Sequence, residues 1–322
     1  MKLITIPVVF LGLLCMSESF AQTAPYPNRP IAIVLPVSPG TSGDTSFRLL
    51  GEKMAAKLGQ PLVMENAPGA AGLIGIDRFR KAPADGYTLL GGNDSSLLYL
   101  PLLNKNATFD PLKDFEPVTQ IAVAELFLAV NSSFPAQSLA DLVKLAKEAP
   151  GKIDFASAGP ASPQHIAMEL IMRRAGLQMN HVPYKGGTPA ATDVAAGVVP
   201  VGVMSLLVAM PYLKSGRIRL IGSTSVRRSS LVPNVPTISE TFTGFQFGIW
   251  VGFLAPRGTP REQINALREA SVLALSDPGV VSTYQTLGLT PSGNTPEEFR
   301  RIIISDFQRL SELFKDAKIK IE

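Results

Sequence analysis

The residues best placed to do chemistry fall in three short stretches of one design. Val34-Leu-Pro-Val-Ser-Pro-Gly-Thr-Ser-Gly-Asp44, Phe155-Ala-Ser-Ala-Gly-Pro-Ala-Ser-Pro-Gln-His165 and Val182-Pro-Tyr-Lys-Gly-Gly-Thr-Pro189 each lead an apolar strand into a loop of small residues that opens a helix. Free backbone N–H groups and hydroxyls gathered at the positive end of a helix suit an anion without help from Lys or Arg. Arg48 and Lys185 are the cations nearest these loops, and each also reads as an ordinary surface or salt-bridged residue. The chemistry implied is the capture of a small anion.

Catalysis is harder to assemble from these residues. Gly40-Thr-Ser-Gly43 lacks the glycine spacing of a G-x-S-x-G nucleophile elbow. His165 stands three residues after Ser162, a spacing that suits helix capping better than a triad, and no base is expected beside Ser42, Ser157 or Ser162. Neither G-x-G-x-x-G nor G-x-x-x-x-G-K-[ST] occurs, so no nucleotide cofactor is expected. His165 and His181 are the only imidazoles and are far apart in sequence, which argues against zinc. No catalytic residue, cofactor or metal is therefore assigned. A serine hydrolase remains the rival from another class. Asp44, at a helix start, reads first as a cap.

The elements around these loops read as alternating strands and helices, the pattern of α/β layering. Strands are expected at Ile31–Leu35, Leu62–Glu65, Tyr87–Gly91, Ala124–Val130, Ile153–Ser157, His181–Tyr184, Val199–Met204 and Ile218–Ser223. A helix over Asp44–Leu58 buries Phe47, Leu50, Met54 and Leu58 and stops at Gly59. Ser162-Pro163, Thr188-Pro189, Thr259-Pro260 and Thr295-Pro296 each place a capping hydroxyl before a first-turn proline, with Glu262 and Glu298 completing capping boxes. Phe115–Val130 and Phe245–Pro256 read as two crossings between lobes. They divide the chain into lobe 1 (22–124 and 246–322) and lobe 2 (125–245), with a hinge between.

Composition is ordinarily globular, with 46% hydrophobic and 17% charged residues. Met1-Lys2, the apolar Leu3–Met16 and the small residues Ser19 and Ala21 form a secretory signal over residues 1–21. Leu14 before Cys15 argues against a lipid anchor. With Cys15 the only cysteine, the mature chain would carry no disulfide. A formal charge of +4, spread without a basic block, argues against nucleic acid. A monomer is expected.

Several phrases, taken in order, resemble one family. Tyr26-Pro-Asn-Arg-Pro-Ile31, Glu65-Asn-Ala-Pro-Gly-Ala-Ala-Gly72, Ala84-Asp-Gly-Tyr-Thr-Leu-Leu90, Phe155-Ala-Ser-Ala-Gly159, Ser162-Pro-Gln-His165, His181-Val-Pro-Tyr-Lys-Gly186 and Pro233-Asn-Val-Pro-Thr237 are similar to the periplasmic receptors of tripartite tricarboxylate transporters, the Bug family. The resemblance implies a two-lobed, Venus-flytrap fold of the type II periplasmic-binding kind. It also implies a small carboxylate held by loop amides, hydroxyls and waters, and integral membrane subunits as partners. A sensor feeding a membrane kinase is the alternative within binding proteins. Carried over by position, ligand contacts fall at Ser38, Gly40, Thr41 and Ser42, at Asn93, Asp94 and Ser95, at Ser157, Gly159 and Ser162, and at Tyr184, Gly186 and Thr188. This chain departs from the family pattern at Thr41 and Ala161, where glycine is common, and at Met204, near a frequent aspartate. Loss of that acceptor favours a plain carboxylate over an amino acid.

Overall fold

A computed structural model describes residues 25–317. The signal-sequence reading and Cys15 lie outside the described residues. The first stretch runs β1 (Ile31–Leu35), α1 (Ser42–Leu58), β2 (Leu62–Asn66), α2 (Leu73–Phe79), β3 (Thr88–Asn93), α3 (Leu100–Leu103) and β4 (Phe115–Ala124). The middle is β5 (Leu126–Asn131), α4 (Leu139–Glu148), β6 (Asp154–Ser157), α5 (Pro163–Ala175), β7 (Asn180–Pro183), α6 (Gly187–Ala196), β8 (Val201–Ser205), α7 (Leu206–Lys214) and β9 (Ile218–Ser223). The chain returns through β10 (Ile249–Pro256), α8 (Arg261–Leu275), α9 (Pro278–Thr286), β11 (Leu289–Pro291) and α10 (Pro296–Ala317).

These strands form two sheets, of order β11-β4-β10-β3-β1-β2 and β7-β6-β8-β5-β9. The α/β, two-sheet architecture expected from the sequence is present. β1 is parallel to β2 and β3, whereas β10 runs antiparallel to both β3 and β4. Ile31, Ile33 and Leu35 are fully buried, as a strand covered on both faces requires. At Gly252 in β10 a Cβ would meet the Phe299 ring at 2.7 Å and the Thr119 carbonyl at 2.9 Å, so α10 lies close over the sheet only because that position has no side chain.

The apolar run read as one strand over Ala124–Val130 is instead the junction of two. β4 ends at Ala124, Glu125 makes the step, and β5 begins at Leu126 in the other sheet. The second passage between sheets occupies residues 224–248, between β9 and β10. Thr224 joins the two passages. Its N–H donates to the Leu126 carbonyl (2.9 Å), its hydroxyl accepts the Leu126 N–H (3.2 Å), and its carbonyl accepts the Phe247 N–H (2.9 Å).

Helix starts follow the sequence only in part. Ser162 caps α5 by accepting the His165 N–H, and Thr295 and Glu298 form a reciprocal capping box. Thr259 instead donates to the Pro256 carbonyl, and α8 starts after Pro260 with no side-chain cap or Glu262 box. Thr188 lies inside α6, which begins at Gly187 behind an uncapped Gly186 at φ +119°. Pro189 is tolerated there because a first-turn N–H has no helical acceptor to lose.

Thr224→Val keeps the shape of the side chain and leaves the buried Leu126 N–H without its acceptor. It is expected to lower unfolding free energy by about 1–3 kcal/mol in urea titrations.

Candidate functional site

At the end of β1, Thr41 caps α1 by accepting the Asp44 N–H (3.2 Å) and donating to the Ser38 carbonyl (3.1 Å). Asp44 is therefore not the cap. Its buried carboxylate accepts from the Gly40 N–H (2.9 Å), Arg48 Nε (3.0 Å) and Asn66 Nδ2 (2.8 Å). Burial opposes its charge, but the hydrogen bonds from Arg48, Asn66 and Gly40 prevail and hold the carboxyl below its usual range. Arg48 is thus engaged by Asp44 and by the side-chain Oδ1 of Asn66 (2.5 Å). Ser38, Gly40 and Thr41 are exposed on this loop, and Ser42 is the first residue of α1.

At the end of β3, Asn93 accepts the Ser96 N–H through its side chain (2.9 Å). Asp94 turns inward rather than toward solvent. Its carboxylate accepts from the Ser95 N–H and the Tyr99 hydroxyl, both at 2.9 Å, and is 2 % exposed. Burial, reinforced by Asp306, pushes its pKa up to about 7 despite the Tyr99 bond. The expected contact between Asp94 and an external ligand does not fit this placement: its oxygens are already occupied beneath the surface.

The second sheet presents the loop between β6 and α5. Ala161 adopts φ +55° there, and across from it Ala70 and Ala71 adopt φ +46° and +56°. Left-handed backbone costs a residue with a Cβ about 1–2 kcal/mol. Ala71 and Ala161 line a single cavity of about 180 Å³ with Ser95, Tyr99, Leu100, Pro160 and Ser162. Of the sequence-derived site residues, Ser95 and Ser162 meet in this cavity. Ser38 to Thr41 and Tyr184 to Thr188 do not line it. Ala71, Tyr99, Leu100 and Pro160 were absent from the sequence-derived set; Gly69-Ala-Ala-Gly72, with a glycine at each end, was the available signal for the first.

Ser157 and both histidines lie beneath this loop. Ser157 is fully buried; its hydroxyl accepts the Gly159 N–H (3.1 Å) and stands 2.6 Å from His181 Nε2. A base therefore does sit beside Ser157, contrary to expectation, and the histidines are not apart. The His165 and His181 rings stack at 3.8 Å and 12°, with the Phe155 ring 5.0 Å from His181 and 6.2 Å from His165. His165 Nδ1 accepts the Ala161 N–H (3.1 Å), which leaves its proton on Nε2, 3.4 Å from Glu169. The acid thus faces His165, while among the described residues no carboxylate hydrogen-bonds the imidazole beside Ser157, and the hydroxyl is sealed from solvent. The cluster braces the loop and lacks the access a nucleophile needs. Among the described residues no group of three or more His, Cys, Asp or Glu is arranged to hold a metal.

The third loop closes on the second. The Tyr184 N–H donates to the Ser157 carbonyl (3.1 Å) and the Gly186 N–H to the Ala158 carbonyl (3.2 Å). Tyr184 donates its hydroxyl to Asp193 (2.7 Å), and burial with that carboxylate pushes the phenol up to about 12. Thr188 is exposed in the uncapped first turn of α6. Met204, by contrast, is buried among apolar neighbours that include Phe127.

Comparison with known proteins bears on what this arrangement serves. The family model described as the tripartite tricarboxylate transporter family receptor matches residues 46–319. Protein BugT of Bordetella pertussis is 34 % identical over 299 residues, covering 92 % of this chain and 92 % of BugT. A structure described as R. palustris Rpa4515 with adipate is 30 % identical, with a TM-score of 0.70 over 92 % of this chain and 99 % of that one. MatC (Rpa3494) from Rhodopseudomonas palustris with bound malate is 29 % identical, with a TM-score of 0.67 over 89 % and 99 %.

Two measurements probe the loop. Ala161→Gly relieves the left-handed methyl and is expected to stabilise the fold by about 1 kcal/mol in urea titrations. Burial, then the neighbouring His165, lowers the His181 pKa from 6.5 to about 4, against the pull of Glu169. The unfolded chain takes up that proton first, so His181 lowers stability as pH falls from 6.5 to about 4. Asp94, raised to about 7, works in the opposite sense over the same range. The imidazole is therefore read by difference, and His181→Gln should lose less stability than wild type between those two pH values.

Proposed function

The chain belongs to the tripartite tricarboxylate transporter receptor family, the Bug proteins, and on that premise we propose that it captures a small organic carboxylate between its two sheets and delivers it to the membrane subunits of such a transporter. Receptors of this family are periplasmic solute-binding proteins rather than enzymes. The observation that carries the reading is the cavity between Ser95 and Ser162, where α5 starts beside the left-handed Ala161. A helix N-terminus and hydroxyls favour an anion there. Adipate and malate in the two related structures support a carboxylate.

Lobe 1 is residues 22–124 and 246–322, lobe 2 is residues 125–245, and the passages at Glu125 and 224–248 are the hinge. Closure brings Ser38, Gly40, Thr41 and Ser42 from one side, and Gly159, Tyr184, Gly186 and Thr188 from the other, toward a ligand seated at Ser95 and Ser162. Only a ligand that touches both sides favours the closed form. Asn93, Asp94 and Ser157 act from beneath, by holding the loops. The protein works as a monomer. The apolar Met204 offers no acceptor for an ammonium group, which supports a plain carboxylate over an amino acid.

Thermal-shift screening of mono-, di- and tricarboxylates identifies the ligand, and calorimetry then reads its affinity. Ser162→Ala is expected to weaken it by about 1.5–3 kcal/mol, between one and two orders of magnitude in Kd. The ligand should be recovered chemically unchanged by mass spectrometry. Unaltered affinity in Ser162→Ala, or turnover of the ligand, defeats the proposal.

A further inference from the structure

A second cavity, of about 440 Å³, opens at the other end of α5, with Arg173, Arg174 and Arg309 in its lining together with Thr243, Phe245 and Gln246. Arg173 is about 16 Å along the helix from Ser162, and the two cavities share no lining residue. Its walls come from three separate places. Arg174 belongs to α5, Arg309 to α10, and residues 243–246 to the passage by which the chain returns to the first sheet.

The two arginines grip that passage by its carbonyls. Arg174 Nη2 donates to the Thr243 carbonyl (2.8 Å) and Arg309 Nη1 to the Gln246 carbonyl. Arg309 also lies over the Phe247 ring, 5.7 Å from its centroid, and donates through Nη2 to Asp306 (2.8 Å). A guanidinium carries five N–H donors in a plane, and among the described residues Arg174 uses one of them, on the Thr243 carbonyl. Asp306 answers Arg309, and burial pushes its own pKa up. Carbonyl oxygens orient the guanidinium groups without neutralising them.

We propose that this cavity is a second anion site, separate from the cleft, that takes a multivalent oxyanion such as a tricarboxylate or inorganic phosphate. Its volume lies within the range of small-molecule sites, and planar donor forks match the oxygen pairs of carboxylates and phosphates. An occupant held by Arg174 and Arg309 together would bridge α5 and α10 across the returning chain. The proposal does not depend on what the cleft binds.

The test is calorimetric titration of the full chain with citrate and, separately, with inorganic phosphate, at constant ionic strength so that general screening is held fixed. Arg174→Gln is expected to weaken both by about tenfold or more, and Arg174→Lys to fall between, since it keeps the charge and loses the fork. Ser162→Trp, which fills the cleft cavity, should leave phosphate binding intact, with Ser162→Ala in its place if the tryptophan does not fold. Binding that vanishes with the cleft variant and ignores Arg174→Gln overturns the proposal. So does a wild-type protein that takes up neither anion. Failure of the cleft reading would appear instead as Ser162 variants that leave every carboxylate response unchanged.

Discussion

Thr224 bears on every other feature of the molecule because it joins the two places where the chain passes from one sheet to the other. Its amide and hydroxyl satisfy both backbone groups of Leu126, and its carbonyl takes the Phe247 N–H. Buried backbone polar groups must find partners, and at a step between sheets no ladder supplies them. A threonine in the first residue after β9 supplies them from its side chain. The two strand bundles are thereby tied at one end and left to meet across their loops at the other.

On the proposed reading, recognition across those loops uses partial charges in place of side-chain cations. Arg48 is spent on Asp44 and Asn66, and that network ties the loop after β1 to α1 and β2. On the opposite side, His165 holds the Ala161 amide and His181 braces Ser157. Ionised and aromatic groups therefore serve here to fix the loop backbone. Left-handed alanines on both faces of the cavity are sustained by this bracing, since neither would choose that conformation unaided.

Much of this was legible in the chain. Ile31–Leu35 falls where the apolar run placed it, and the Ser162 and Thr295 caps form as their spacing required. Three limits are physical. A threonine before proline at a helix start does not reveal whether its hydroxyl will cap or will close the preceding turn, as Thr259 does. Apolarity over Phe115–Asn131 cannot show that one residue, Glu125, separates two sheets. Sequence separation also hides stacking: the histidines meet because β6 and β7 are parallel neighbours, with Phe155 opposite His181, and α5 folds back over them. Carry-over by family position could not tell the half-buried Ser95 from its buried neighbour Asp94.

β10 carries a consequence for how the molecule comes into being. It lies between β3 and β4, paired antiparallel with each, yet it follows them in the chain by more than the whole second sheet. As the polypeptide emerges from its N-terminus, β5 to β9 can close their sheet from contiguous residues, while β3 and β4 wait with open edges for a strand not yet made. Pairing at such sequence distance is slow, and unpaired edges invite association with other chains. The older half of the protein in order of synthesis is thus the younger in order of completion, and guarding its apolar edges in the interval falls to whatever holds the nascent chain.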